Sequence, residues 1–132
     1  SPIVLVVDDD PDFCKTLWHI LRERSYRVSL AHNREDGVRK ALDANYQVAV
    51  VDLSLCNGQT DGCDVLQRVA EVNPAIRTIL ITGHREEAGE VLERCKANGL
   101  DDVCFKPLDV EALLNKIELG KIANANRDSG TS

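Results

Sequence analysis

The amino-acid sequence predicts one α/β domain in which a parallel sheet is covered by helices on both faces. Five short runs rich in Val, Ile and Leu alternate with five amphipathic helical patterns. The chain has 132 residues, of which 43% are hydrophobic, which is enough for a single ordinary core. Strict strand–helix alternation favours parallel strands joined by right-handed crossovers.

The predicted strands differ in how their apolar residues are distributed. The first, third and fourth are nearly continuous in apolar residues, as expected for strands covered on both faces. The second alternates between polar and apolar residues, which suits an edge strand. The predicted strands are Ile3–Val7, Val28–Leu30, Val48–Val51, Ile76–Ile81 and Val103–Phe105.

Start and stop signals delimit the five predicted helices. Asp10 places a capping carboxylate before Pro11, a residue favoured at the first helical position. Asn33 and Asp109 can cap the second and fifth helices in the same way. The predicted inner faces are Phe13, Leu17, Ile20 and Leu21; Val38, Ala41 and Leu42; Val65, Leu66, Val69 and Val72; Ala88, Val91, Leu92 and Cys95; and Val110, Leu113, Leu114 and Ile117.

Composition and patterning bound the domain and exclude several classes of function. The apolar pattern ends near Gly120, so residues 1–120 are predicted as one domain and residues 121–132 as a polar tail or linker to a further segment. A net charge of −6 without a Lys/Arg cluster argues against direct nucleic-acid binding. No apolar run approaches the roughly 20 residues of a membrane span. Ile3–Val7 meets acidic residues at once, so it is not interpreted as a secretory signal.

The cysteines favour a reducing, cytoplasmic location. There are five, an odd number, and none forms a CxxC pair. Cys56 and Cys63 lie on one predicted loop and could bind a metal or oxidise together. Because no histidine lies near them, ordinary small residues are the better interpretation.

The polar residues of interest all follow predicted strands. In open α/β sheets, ligands bind outside the carboxyl ends of the strands, where the chain order reverses. Each residue alone could be a turn, a strand end or a cap, and Asp10 is predicted to be the helix cap. Their shared position favours a common crevice, formed by Asp8, Asp9 and Asp10 after the first strand, Asp52 at the third, Thr82 at the fourth and Lys106 at the fifth.

The residue types in this crevice indicate phosphoryl chemistry beside a metal ion. Carboxylates of Asp8, Asp9 and Asp52 cannot sit together ionised without a compensating cation. Oxygen ligands without His or thiolate favour Mg²⁺. A carboxylate beside such an ion can act as a nucleophile and form an acyl phosphate. Lys106 supplies a positive charge and Thr82 a hydroxyl donor for the incoming group.

At these residues the sequence resembles the receiver domains of two-component response regulators. The resemblance covers about residues 3–119 and rests on four motifs in the family's order. They are Ile3-Val4-Leu5-Val6-Val7-Asp8-Asp9-Asp10, Val50-Val51-Asp52, Ile79-Leu80-Ile81-Thr82-Gly83 and Phe105-Lys106-Pro107.

The resemblance implies a strand order of 2-1-3-4-5 and a specific set of roles. Asp52 would be the phosphoacceptor, and Mg²⁺ would be held by Asp8, Asp9, Asp52 and the backbone carbonyl of Ser54. Thr82 and Lys106 would contact the phosphoryl group. The donor would be a phosphohistidine on a histidine kinase or phosphotransfer protein. The domain would be a switch that assists its own phosphorylation and dephosphorylation. The resemblance does not specify its output. It also leaves the oligomeric state open, and a homodimer is one possibility.

Two features depart from the family's usual pattern. Cys56 stands where proline is usual, and the loop 53–62 is two residues longer than expected. Val103 stands where an aromatic residue is common, so an aromatic gate coupled to Thr82 is not expected in its usual form.

Three other classes of protein share part of this pattern. Asp8-x-Asp10 after a strand matches the nucleophile pattern of haloacid-dehalogenase-type phosphatases, which would use Asp8 and need a larger chain or a cap. An interaction module without phosphorylation would leave clustered carboxylates with nothing to bind. A flavodoxin is excluded because three aspartates would repel the flavin phosphate.

Overall fold

A computed structural model of the chain describes residues 3–44, 46–52, 62–82, 93, 100–106 and 108–118, with the backbone alone for 62–66. Strands and helices alternate along it as the sequence predicts, with strand limits that differ by one residue at some ends. The elements are β1 (Ile3–Val7), α1 (Pro11–Glu23), β2 (Arg27–Ala31), α2 (Arg34–Asp43), β3 (Val48–Asp52), α3 (Gly62–Val72), β4 (Arg77–Thr82), β5 (Asp102–Phe105) and a C-terminal helix at residues 110–118.

The sheet has five parallel strands in the order β2-β1-β3-β4-β5, which confirms the predicted topology. The central strands β1, β3 and β4 are buried almost throughout, as their continuous apolar runs indicate. Strand β2 lies at an edge and is only partly covered. The order of strands reverses at β1, which places β1 and β3 at the centre of the crevice above the sheet.

Four of the five predicted helices lie within the described residues. The predicted fourth helix falls outside them apart from Glu93, which is helical. The boundary predicted near Gly120 also lies outside the described residues, as do Cys56 and Cys95. Within the described part of the chain, no helix is long and apolar enough to cross a membrane.

Two apolar layers pack on opposite faces of the sheet. One joins α1 and the C-terminal helix through Leu17, Leu21, Leu113 and Ile117. The other lies beneath α2 and α3 and includes Val69. Burying apolar side chains on both faces supplies the main favourable free energy of such a domain.

The inner face predicted for α2 is partly wrong. Leu42 is 64% exposed, and Gly37 is buried instead. Gly37 packs so closely on β1 that a Cβ atom there would lie 2.9 Å from Val7 Cγ2. This contact sets the rotation of α2 and turns Leu42 towards solvent. Val72, at the end of α3, is also more exposed than predicted, at 38%.

The amino ends of β4 and β5 are joined by a polar network, called here the amino-end network. The Asp101 carboxylate accepts hydrogen bonds from the Thr78 N–H, at 2.8 Å, and from the Thr78 hydroxyl, at 3.2 Å. Asp102 forms ion pairs with Arg77, at 3.3 Å, and with Lys116 of the C-terminal helix, at 3.1 Å. These contacts lie at the opposite end of the sheet from the predicted crevice.

Candidate functional site

The carboxyl end of the sheet brings together the acidic residues predicted for the site. Asp8 directly follows β1 and Asp52 ends β3, and both are buried, at 1% and 2% exposure. Asp9 is exposed. The three residues each offer one carboxylate oxygen, and these oxygens lie within 4.8 Å of one another. Ser54, predicted to contribute a carbonyl, lies outside the described residues.

One oxygen of the Asp8 carboxylate has a partner within the protein and the other does not. Asp8 Oδ1 accepts a hydrogen bond from the Asp10 N–H at 2.8 Å. Asp8 Oδ2 is buried, and among the described residues no donor hydrogen-bonds to it. A buried carboxylate oxygen without a donor is costly, so the site favours a bound proton or cation at this position.

The pKa of Asp8 is raised by the burial of its carboxylate and by the negative charge beside it. Burial is the main cause and the neighbouring Asp52 carboxylate adds to it, and the pKa rises from 3.8 to about 7. The Asp10 N–H and the Lys106 ammonium oppose the rise. An all-oxygen donor set with this charge fits a hard divalent cation, which would take the place of the proton.

The Lys106 ammonium forms an ion pair with the Asp52 carboxylate. Its Nζ lies 2.8 Å from Asp52 Oδ2 and its side chain is 34% exposed. Burial lowers the pKa of Lys106, but the hydrogen bond and the charge of Asp52, together with the charges of Asp8 and Asp10, outweigh it, so the pKa is raised overall. Lys106 is therefore an ammonium at neutral pH and can pair with an anionic group that arrives at Asp52.

Thr82 lies at the end of β4, buried beside the same edge. Its backbone carbonyl accepts a hydrogen bond from the Lys106 N–H at 2.8 Å, and Thr82 pairs with Phe105 in the register of β4 and β5. A backbone hydrogen bond therefore joins Thr82 and Lys106, the residues predicted to supply the hydroxyl and ammonium groups.

Three residues around the site were not identified as site residues from the sequence. The Cys14 thiol donates to the Asp8 carbonyl at 3.3 Å, and His32 Nδ1 lies 3.3 Å from the same oxygen. The ring of Phe13 lies beneath Lys106 Nζ, 4.9 Å from it at the centroid. The sequence predicts Phe13 on the inner face of α1 and gives Cys14 and His32 no role at the site. Only the position of Phe13 and Cys14 in the first turns after the acidic loop could have indicated their proximity to the site.

Burial also keeps the Cys14 thiol protonated. Its pKa is raised to about 11, first by burial and then by the charge of Asp8. A protonated thiol can donate to the Asp8 carbonyl, which helps to hold the end of β1 in place.

Asp10 acts as the helix cap rather than as part of the acidic cluster. Its carboxylate accepts from the Asp12 and Phe13 N–H groups at 3.0 and 3.3 Å. We expect Asp10→Ala to lower the free energy of unfolding by about 1 kcal/mol. The affinity for Mg²⁺ should hardly change, because the Asp10 N–H that binds Asp8 is retained. Urea unfolding and a Mg²⁺ titration measure the two effects. Asp9→Ala is the comparison, and equal losses of Mg²⁺ affinity in the two variants would contradict this division of roles.

A doubly covered parallel sheet with carboxylates, a threonine and a lysine at its strand ends defines a class of phosphate-handling switch domain. The family model of the response regulator receiver domain matches residues 4–118. The chain therefore belongs to the response regulator receiver family, whose members are signalling switches that receive phosphoryl groups from histidine kinases.

Individual relatives agree with this assignment. Transcriptional regulatory protein ZraR of Salmonella typhimurium is 34% identical over 115 residues, which cover 87% of this chain and 25% of the relative. The chain spans about a quarter to a half of the length of the curated relatives it matches.

Solved structures match over most of the chain. A response regulator from Burkholderia pseudomallei, crystallised with a phosphorylated aspartic acid, a calcium ion and citrate, is 26% identical with a TM-score of 0.79, covering all of this chain and 76% of that one. A CheY-like receiver domain protein from Methanospirillum hungatei has a TM-score of 0.85 at 24% identity, covering 96% and 98% of the two chains. At that identity the second match supports the fold alone.

Proposed function

We propose that Asp52 is the phosphoacceptor of this receiver domain. The observation that carries the proposal is the Lys106 ammonium 2.8 Å from Asp52 Oδ2, beside the cluster of Asp8 and Asp9. The phosphorylated aspartic acid in the Burkholderia pseudomallei response regulator supports it by similarity.

The metal in this proposal is Mg²⁺, held by Asp8, Asp9, Asp52 and the backbone carbonyl of Ser54. The buried Asp8 Oδ2, with no protein donor among the described residues, supports a cation there. When bound, Mg²⁺ would neutralise the carboxylates and the negative charge of the incoming phosphoryl group. The Burkholderia pseudomallei structure contains calcium, another hard cation that prefers oxygen ligands.

The protein's own residues account for the transfer step. A carboxylate oxygen of Asp52 attacks the phosphorus of a phosphohistidine, and the phosphorus–nitrogen bond breaks as the oxygen–phosphorus bond forms. The imidazole nitrogen keeps the electron pair and takes a proton. The Lys106 ammonium pairs with a phosphoryl oxygen, and the Thr82 hydroxyl donates to another. The same groups would assist hydrolysis of the acyl phosphate, with water as the attacking nucleophile.

The proposal also includes the phosphoryl donor, the limits of the domain and its output. The donor is a histidine kinase or phosphotransfer protein, and residues 1–120 form a cytoplasmic domain with five helices, followed by a linker at residues 121–132 that leads to an output segment. The curated relatives named as transcriptional regulators, which are two to four times longer than the matched region, support such an output. Nucleic-acid binding would then reside outside this acidic domain, and homodimerisation would be one way to signal.

Incubation with acetyl phosphate and Mg²⁺, followed by intact-mass measurement, tests the proposal. We expect one acid-labile phosphoryl group per chain, formed in Mg²⁺ and not in EDTA. Peptide mapping should place it on Asp52. No mass increase with acetyl phosphate or with a partner phosphohistidine, or a label on another residue, would contradict the proposal.

Phosphorylation should change the backbone at Thr82 and Lys106 more than elsewhere. A phosphoryl group offers new acceptor oxygens to the Thr82 hydroxyl, and the hydrogen bond between Thr82 and Lys106 couples their movement. Val103 is short and stiff at χ1, so no ring moves inward at that position. We expect a modest change in amide exchange, concentrated at residues 82–90 and 103–108, on adding beryllium fluoride and Mg²⁺. Changes confined to residues 53–62 would contradict this expectation.

A further inference from the structure

The Lys106 ammonium has a second neighbour besides Asp52. Nζ lies 4.9 Å from the centroid of the Phe13 ring, within the roughly 6 Å over which a cation is attracted to a ring face. Phe13 itself is half-buried and packs against the core layer that contains α1 and the C-terminal helix. The ammonium therefore has both a carboxylate oxygen and an aromatic ring face as neighbours.

The backbone of Phe13 is fixed by the same loop that carries the acidic cluster. The Phe13 N–H donates to the Asp10 cap at 3.3 Å, and the Asp10 N–H donates to Asp8 Oδ1 at 2.8 Å. Through these two contacts, the position of the ring is tied to the position of the Asp8 carboxylate. A long lysine side chain has several rotatable bonds, and a fixed ring beneath its end reduces the number of positions that the ammonium can take.

We propose that Phe13 is a positioning residue that holds the Lys106 ammonium at Asp52. The proposal rests on the proposed function of Asp52 as phosphoacceptor. The ring face attracts the ammonium without donating or accepting a proton. It therefore leaves the ammonium free to exchange its carboxylate contact for a phosphoryl oxygen. Removing the ring should let the ammonium occupy positions away from Asp52 and slow phosphoryl transfer, while the metal ligands remain unchanged.

The test compares Phe13→Leu, which keeps an apolar side chain and removes the ring, with Phe13→Tyr, which keeps the ring. A small phosphodonor such as acetyl phosphate excludes any effect on docking of a partner protein. With acetyl phosphate and saturating Mg²⁺, we expect Phe13→Leu to lower the phosphorylation rate about three- to tenfold. Phe13→Tyr should be phosphorylated at nearly the wild-type rate. Mg²⁺ affinity should be the same in all three proteins.

Trp18→Leu is the matched control on the same helix. Trp18 contacts the guanidinium of Arg22, at 5.3 Å from the ring centroid, so this variant also removes a cation–ring contact. It should leave the phosphorylation rate unchanged. In a Lys106→Met background, Phe13→Leu should have no further effect on the rate, because no ammonium remains to be positioned. A slower rate in Trp18→Leu, or an undiminished effect of Phe13→Leu without Lys106, would assign the loss to helix packing and overturn the proposal.

A second measurement does not depend on phosphorylation. In NMR spectra of the unphosphorylated protein, the ring face of Phe13 should shift the Lys106 Hε signals upfield, and Phe13→Leu should abolish this shift. If the shift is present but Asp52 is never phosphorylated, the proposed function fails while the contact stands. If Asp52 is phosphorylated but the shift is absent, or if Phe13→Leu and Phe13→Tyr slow the reaction equally, the positioning role of Phe13 is wrong.

Discussion

Asp52→Asn should abolish phosphorylation by acetyl phosphate while leaving the domain folded. An amide oxygen is a far weaker nucleophile than a carboxylate, so no acyl phosphate can form at this position. Asp52 is the last residue of β3, at the carboxyl end of the sheet. The substitution removes one of three crowded negative charges rather than an apolar contact. Intact-mass measurement and circular dichroism check the two parts of this expectation.

The matched control for this substitution is Asp12→Asn, which changes an exposed carboxylate in the first turn of α1. Asp12→Asn should be phosphorylated at nearly the wild-type rate. Phosphorylation of Asp52→Asn at an unchanged rate would refute the acceptor assignment. If the label then mapped to Asp8, the phosphatase interpretation of the Asp8-x-Asp10 pattern would replace it.

Asp8→Asn should abolish most Mg²⁺ binding. Loss of a residue that only orients a metal ligand typically lowers affinity about 10- to 100-fold, and loss of a direct ligand should match or exceed this. The substitution replaces the carboxylate that contains the buried Oδ2 by an uncharged amide, which offers no negative charge to a cation. Calorimetric titration with Mg²⁺ measures the effect, and Asp12→Asn again serves as the control.

The same substitution should stabilise the metal-free protein above neutral pH. Because the pKa of Asp8 is raised from 3.8 to about 7 on folding, the folded state binds the proton more tightly than the unfolded state. The stability that this provides is complete below pH 4 and is lost as the pH rises towards and through 7. In EDTA at pH 8, Asp8→Asn should therefore raise the free energy of unfolding by up to about 4 kcal/mol relative to wild type.

Urea unfolding in EDTA at pH 4 and pH 8 tests this prediction. The gain from Asp8→Asn should be much larger at pH 8 than at pH 4, since a protonated Asp8 carries no charge to relieve. An equal gain at both pH values would show that packing, rather than charge, is responsible. A loss of stability at pH 8 would show that the ionised Asp8 is favoured by contacts within the protein.

The parts of the fold that depend on local sequence could be predicted. Continuous apolar runs identified the central strands, and Asp10-Pro11 identified the start of α1, because both signals act over a few neighbouring residues. Leu42 was assigned to the core because it follows Ala41 in an apolar pattern. The rotation of α2 is set instead by the close approach of Gly37 to Val7, a contact between distant residues.

The candidate site shows the same division between local and long-range information. The acidic residues, Thr82 and Lys106 could be placed at one edge because the carboxyl ends of parallel strands share that edge. The contact between Phe13 and Lys106 could not be predicted, since it depends on how α1 lies against the end of β5. The raised pKa of Asp8 likewise depends on its burial and on its distance from Asp52.

The amino-end network holds β4 and β5 together at their amino ends. The contacts of Thr78 with Asp101, and of Asp102 with both Arg77 and Lys116, hold the two strands together at the end opposite to Thr82 and Lys106. We therefore expect a displacement begun at the carboxyl ends to tilt the strands about these contacts instead of sliding them along the sheet. We then expect the largest movements of β4 and β5 at their carboxyl ends, at Thr82 and Phe105. We expect the strength of these contacts to determine how far a change at Asp52 spreads through β4 and β5.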